Sequence, residues 1–390
     1  MFNSDVVASF TAKETPFYYY DLSLLKETLT NCKAAADQYQ FHVHFALKSN
    51  FNTKVLNIIK SKGYGADCVS GGEINKALEV GFKKEQIVFA GVGKSDAEIN
   101  FALDQDIFSF NVESIQELEV INELAAAKGK IASVAIRINP NVDAHTHHYI
   151  TTGLDENKFG INTWDLQAVS DTLKTCKNLV FLGIHFHVGS QITDMNVFKS
   201  LCIKVNEMQL WFEERGMPVK VLNVGGGLGV DYDHPDENPI PDFESYFKIF
   251  NDFLEVKPHQ EVHFELGRAL VAQCSSLISK VLYIKNGIKK NFVIIDAGMT
   301  ELIRPALYQA YHKIENLSNL DFSVENTTAT NHYDVVGPIC ESSDCFGKEV
   351  HLPETKRGDL LALRTAGAYG EVMASAYNLR PAIRHVYSEE

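Results

Sequence analysis

The sequence predicts an α/β protein: a (β/α)8 TIM-type barrel followed by a second, all-β domain of sandwich or barrel-like form. Three observations predict it. Eight short apolar, β-branched runs alternate with segments of helical period. The unusual residues gather at the C-terminal ends of those runs. After about residue 270 the alternation stops, and strand-like runs follow without regular helices between them.

The eight runs are FHVHFALK (41–48), YGADCV (64–69), QIVFAG (86–91), IFSFNV (107–112), IASVAIRIN (131–139), LVFLGIHFHVG (179–189), VKVLNVGG (219–226) and EVHFELG (261–267). Between them lie segments such as SIQELEVINELAAAKG (114–129), apolar at helical spacing and closed by a glycine. A count of eight favours a closed barrel over an open doubly wound sheet. In a barrel the strand ends converge on one face, where active sites sit. Further on, CSSLISKVLYIKN, FVIIDAGM, HYDVVGPIC and DLLALRTAGAYG read as strands, and FYYYDLS near the N-terminus reads as one more. The expected division is a barrel over residues 30–270 and a β domain over 271–390 together with 1–29.

The chain has 390 residues, 45% of them hydrophobic, which is enough to bury a sizeable core. Its net charge of -14 argues against nucleic acid or an anionic membrane surface as the main partner. No stretch is long and apolar enough to span a bilayer. The seven cysteines are scattered, with no CxxC pair, so reduced thiols in the cytoplasm are expected. The stretch MFNSDVVASFTAKETPFYYY does not have the form of a secretory signal.

The chemistry starts at Lys48, where a buried-looking strand ends on a lysine. Either the ammonium snorkels to water, or the amine is partly desolvated and attacks a carbonyl. In NVGGGLG, Gly225, Gly226 and Gly227 make a tight turn or a backbone cradle for phosphate. The pattern is neither a Walker loop nor a dinucleotide fingerprint. In HFHVGSQ, His185 and His187 point to one side of a strand. They read as core histidines, as a metal pair wanting a third ligand, or as a ring stacked on an aromatic cofactor. In FELGRAL, Glu265 ends an apolar strand and needs a cationic partner, which Arg268 supplies. Alternatively Glu265 faces a protonated ring nitrogen and Arg268 an anion. An amine nucleophile, a phosphate cradle, a stacking ring and a carboxylate for a ring nitrogen together describe a pyridoxal phosphate site, with no metal.

Ten ordered motifs then carry a resemblance: FALKSN, DCVSGGE, AIRINP, HTHHYITTGLDENKFGI, HFHVGSQ, NVGGGLG, ELGR, LIRPALYQAYH, GPICESSD and GAYGEVMASAYNLRP. On these the chain resembles the fold III pyridoxal phosphate amino-acid decarboxylases over nearly its whole length. The resemblance implies that Lys48 is the Schiff-base lysine and that His187 stacks on the cofactor ring. It implies that Ser190, Gly225, Gly226, Gly227, Gly267 and Arg268 contact the phosphate and that Glu265 pairs with the pyridine nitrogen. Cys340 would return a proton to Cα, and Glu341 would bind the far ammonium of the substrate. Arg268, Arg304 and Tyr308 would hold its far carboxylate, and Tyr369 would reach cofactor and substrate. In this family the CESSD segment is donated across a homodimer interface, so active sites are shared.

The implied reaction is decarboxylation of meso-2,6-diaminopimelate to L-lysine and carbon dioxide, the last step of lysine biosynthesis. A bidentate arginine reads a carboxylate, and an unpaired Arg304 would repel the far ammonium of ornithine or lysine. The rivals are decarboxylases of carboxynorspermidine, ornithine or arginine on the same fold, and, from a different class, a non-catalytic relative that binds a regulator. Two departures stand out: Leu266 replaces the usual proline of the EPGR turn, and Ala382 follows Arg-Pro where a second arginine is usual.

Overall fold

The computed structural model describes residues 2–142, 158–319 and 331–389. Most of the HTHHYITTGLDENKFG stretch therefore lies outside the described residues. The first strand, β1 (Phe17–Tyr20), belongs to the second unit and is taken up below. The next eight are β2 (His42–Ala46), β3 (Gly65–Cys68), β4 (Ile87–Phe89), β5 (Ser109–Val112), β6 (Ala132–Arg137), β7 (Leu179–His185), β8 (Val221–Asn223) and β9 (Glu261–Leu266). They form a closed barrel in sequence order, every pair parallel, with β2 pairing β9 to close it. All eight predicted runs are barrel strands.

The strands are shorter than the apolar runs. FHVHFALK pairs only as far as Ala46, and Leu47–Ser49 turns into one 3-10 turn. A helix follows each early strand, and its start is written in the sequence. Ser70 caps Gly71–Val80 by accepting from the Glu73 N–H, and Ser114 caps Ile115–Ala127 by accepting from that of Glu117. Gly81 ends the first of these helices in the left-handed conformation (φ 93°), which a residue without Cβ adopts at little cost.

The chain divides into two compact units. One comprises Leu29–Gly229 and Asp242–Leu270; the other comprises Met1–Thr28, Val230–Pro241 and Val271–Glu390. The segment Val230–Pro241, which the reading of the sequence kept with the barrel, is held in the second unit by specific bonds. Gln273 Nε2 donates to the Asn238 carbonyl at 2.6 Å, and Arg364 pairs with Asp236 at 2.7 Å.

The second unit is mostly sheet. Its strands are β1, β10 (Ser275–Asn286), β11 (Asn291–Ile295), β12 (Ile314–Asn316), β13 (Asn331–Val336), β14 (Cys345–Leu352), β15 (Leu360–Leu363) and β16 (Arg384–Tyr387). The path runs β12-β15-β10-β11-β13-β14, and β1 pairs antiparallel with β10 and parallel with β16. The expectation that FYYY joins this sheet holds. Phe10, Phe17, Tyr19, Ile278, Leu317, Leu360, Ala362 and Val386 form a core there. No helix among the described residues is long and apolar enough to cross a membrane.

Candidate active site

In the barrel unit the polar side chains gather at the C-terminal ends of the strands. Lys48 sits in the turn just past β2, and its Nζ donates to Asp67 Oδ2 at 2.6 Å. The lysine side chain is 35% exposed while that of Asp67 is fully buried. The amine is thus neither free nor sealed from water: a buried carboxylate at the end of the adjacent strand fixes it. Burial and the charge of Glu265 push the Asp67 carboxyl up, against the pull of Lys48.

Glu265, buried on β9, has both oxygens engaged. Oε1 accepts from Asn111 Nδ2 at 2.8 Å and Asn223 Nδ2 at 2.7 Å, and Oε2 lies 3.0 Å from His185 Nε2. Burial works to raise its pKa, but His185, Lys48 and Asn223 outweigh burial and hold it well below the usual carboxylate range. Arg268, the cationic partner expected from the sequence, has bonds of its own at Ser190. Arg268 lies past the Gly267 turn, where its Nε and Nη2 donate to Ser190 Oγ at 3.3 and 3.1 Å.

The two histidines of HFHVGSQ have separate surroundings. His185 ends β7 and points at Glu265, whereas His187 lies beyond the strand. Burial, Arg137 and Lys48 push the His187 pKa down to about 3, so its ring is neutral. Its Nδ1 accepts from the Gly226 N–H at 3.4 Å. Arg137 is itself held by Glu113 at 2.6 Å.

The glycines are placed by packing. A Cβ on Gly225 would lie 2.2 Å from the Phe186 carbonyl oxygen, and one on Gly226 would lie 2.0 Å from that of Glu265. Gly225 also has φ +70° and gives its N–H to Asn223 Oδ1 at 3.0 Å. The tight-turn reading therefore explains these two glycines whether or not a phosphate is held.

The second unit places the remaining candidates. Arg304 opens the short helix Arg304–Tyr308 and is buried. Its Nη1 donates to Tyr232 OH at 3.0 Å and to His312 Nε2 at 2.9 Å, while His312 Nδ1 donates to the Arg364 carbonyl at 2.8 Å. Tyr308 is half-buried, as is Tyr369, which has φ +57°. Cys340 and Glu341 are exposed; the Cys340 N–H donates to Asn378 Oδ1 and Glu341 Oε1 accepts from Tyr377 OH. Asp344 frames their loop by accepting from the N–H groups of Ile339 and Met299.

Asp67, Asn111 and Asn223 are functional candidates that the motifs did not single out, and His185, read there beside His187, stands against Glu265 instead. Each is a buried polar residue in an otherwise apolar strand, and that anomaly was the available signal. Among the described residues, Asp67 Oδ1, Asn111 Oδ1 and His185 Nδ1 are buried without a hydrogen-bond partner. Buried polar atoms are nearly always paired. Three unpaired ones around a single charged carboxylate fit a polar aromatic ligand seated there, and the Lys48 amine fits an aldehyde on it.

The barrel and its mouth define an enzyme that uses pyridoxal phosphate. Comparison with known proteins narrows the class. A family model described as pyridoxal-dependent decarboxylase, pyridoxal binding domain, matches residues 23–272. A relative from Bacteroides thetaiotaomicron, named diaminopimelate decarboxylase, is 58% identical over 385 residues, covering 98% of each chain. One of the same name from Aquifex aeolicus is 39% identical over 375 residues, covering 96% of this chain and 87% of its own. The crystal structure of diaminopimelate decarboxylase from Helicobacter pylori complexed with L-lysine superposes with a TM-score of 0.90 at 40% identity, covering 97% and 93% of the two chains. The chain belongs to the pyridoxal-dependent decarboxylases.

Proposed function

We propose that the chain decarboxylates meso-2,6-diaminopimelate to L-lysine and carbon dioxide. The observation that carries this reading is the 58% identity, end to end, with a diaminopimelate decarboxylase. Pyridoxal phosphate, when bound, supplies an electron sink for the carbanion that remains once carbon dioxide has left. The rest is the work of this chain's residues. Lys48 would hold the cofactor's aldehyde carbon, with Asp67 orienting its amine. Glu265, kept charged by three donors, would hold the proton on the pyridine nitrogen. The neutral ring of His187 would pack on the cofactor face. Ser190, Gly225, Gly226, Gly227, Gly267 and Arg268 would surround its phosphate.

Substrate recognition falls to the second unit. Arg304, already oriented by His312 and Tyr232, would pair with the far carboxylate, together with Tyr308 and Arg268. Glu341 would bind the far ammonium, Cys340 would hold the proton delivered to Cα, and Tyr369 would touch both cofactor and substrate. The exposure of Cys340 and Glu341 supports a homodimer in which these two residues serve the partner subunit's site. The seven cysteines are unpaired, which supports a cytoplasmic setting.

The test is product analysis. Purified protein with pyridoxal phosphate is given meso-diaminopimelate, ornithine, arginine or carboxynorspermidine in parallel. Lysine and carbon dioxide from diaminopimelate alone are expected. Turnover of another substrate in its place would keep the Lys48 chemistry and discard the Arg304 assignment.

A further inference from the structure

The end of the barrel opposite Lys48 carries a second cluster of ligating side chains. In the β2–β9 pairing that closes the barrel, His42 lies across from His263 and His44 across from Glu265. Toward the N-terminal ends of these strands His42, Glu261 and His263 come together, with one ligating atom from each within 4.8 Å of the others. His42 and Glu261 are exposed and His263 is buried.

The hydrogen bonds behind His263 decide which of its nitrogens faces the cluster. The Gln86 carbonyl can only accept, so His44 Nδ1, 3.0 Å away, carries a proton. A ring that donates at Nδ1 accepts at Nε2, so His44 Nε2 accepts and His263 Nδ1 donates to it at 2.8 Å. His263 Nε2 is then the nitrogen that faces Glu261 Oε2, at 3.1 Å. A proton or a metal ion between this nitrogen and the carboxylate oxygen satisfies both atoms. Phe108 stacks on the His263 ring with planes 2° apart and centroids 5.4 Å apart, so the ring is held in this orientation.

We propose that His42, Glu261 and His263 bind a divalent transition-metal ion of the zinc type, bridging the two strands that close the barrel. Two imidazoles and one carboxylate suit a borderline ion with a remaining position for water, whereas Mg2+ and Ca2+ call for more oxygen ligands. A ligating histidine takes support through its other ring N–H, and His263 has that support from His44 and, behind it, Gln86. Zn–N bonds of about 2.0 Å require the cluster to tighten. The exposed His42 and Glu261 side chains supply that movement, and the buried ring of His263 stays where it is. An ion bound only by the folded chain stabilises it. The site shares no residue with the cofactor assignments above, so it stands or falls apart from them.

The test uses tag-free protein loaded with pyridoxal phosphate, stripped with a chelator and titrated with Zn2+ by calorimetry. His42→Ala and Glu261→Gln are run beside it, each first shown to be folded by its melting curve without metal. Because both side chains are exposed, at least one variant is expected to pass that check. The wild type is expected to bind one ion per chain and to melt higher with zinc. In the variants the affinity should fall by about tenfold or more, and the zinc-dependent rise in Tm should disappear. No zinc binding by the wild type, or equal binding and equal Tm shifts in wild type and variants, would overturn the proposal and leave a proton-bridged His263–Glu261 ion pair.

Discussion

Lys48 sits just past its strand, held by the buried carboxylate of Asp67, and the consequences begin at that residue. Lys48→Ala should abolish the visible absorbance of the lysine-bound cofactor and nearly all turnover; spectra and product assays check both. Glu265→Gln should keep the cofactor but cut kcat by about a hundredfold or more, the scale seen when one preorganised electrostatic group is removed; its steady-state kinetics should show the loss in kcat rather than in KM. Glu73 offers a pH test. Burial raises its carboxyl from the usual value to about 7, against the pull of the Val69 N–H and Lys48. A carboxyl with a raised folded-state pKa takes up protons on folding, so its contribution is full below about 4.5 and is lost as the pH climbs through about 7. Denaturant titrations of the apoprotein should show Glu73→Gln losing less stability than wild type between about pH 4.5 and 7, the interval set by those two values. The residues legible in the sequence were those whose neighbours along the chain are odd, namely Lys48, Glu265 and the glycines. Asp67, Asn111, Asn223 and His185 were harder, because their role depends on which strands stand beside β9 and β2 in a closed barrel.

At the scale of elements, the βα alternation was written plainly enough to give every barrel strand. Strand ends were less legible, because an apolar run continues past the last ladder bond into the turn that aims Lys48 or His187. In the second unit β14 went unread. Its CFGKEVHL sets Lys348 and Glu349 side by side, and Glu349 adopts φ +52° where its pairing with β13 is irregular, so no clean alternation exists to read. The short β12 and β16 offer too few residues for a period. The glycine turn carries its own prediction. Gly226→Ala puts a Cβ against the Glu265 backbone, which has no side-chain freedom with which to yield. It should cost roughly 1–3 kcal/mol or more as overpacking, seen in the melting curve, and should displace Glu265 enough to slow turnover as well.

For the whole molecule, the two-part pattern suggested two units, but a boundary drawn along the chain missed the return of Val230–Pro241 to the sheet-rich unit. That segment is tied by Tyr232 to Arg304 and by Asp236 to Arg364, contacts between residues far apart in sequence. The proposed dimer is testable at this scale: Lys48→Ala and Cys340→Ala chains, each inactive or slow alone, should regain activity when mixed and allowed to exchange subunits. The central claim is narrower and more direct, that Lys48 carries the cofactor. Borohydride reduction of the yellow holoprotein, then digestion and mass spectrometry, should find the phosphopyridoxyl group on the peptide containing Lys48. Label on any other lysine, with Lys48 unmodified, would contradict the account.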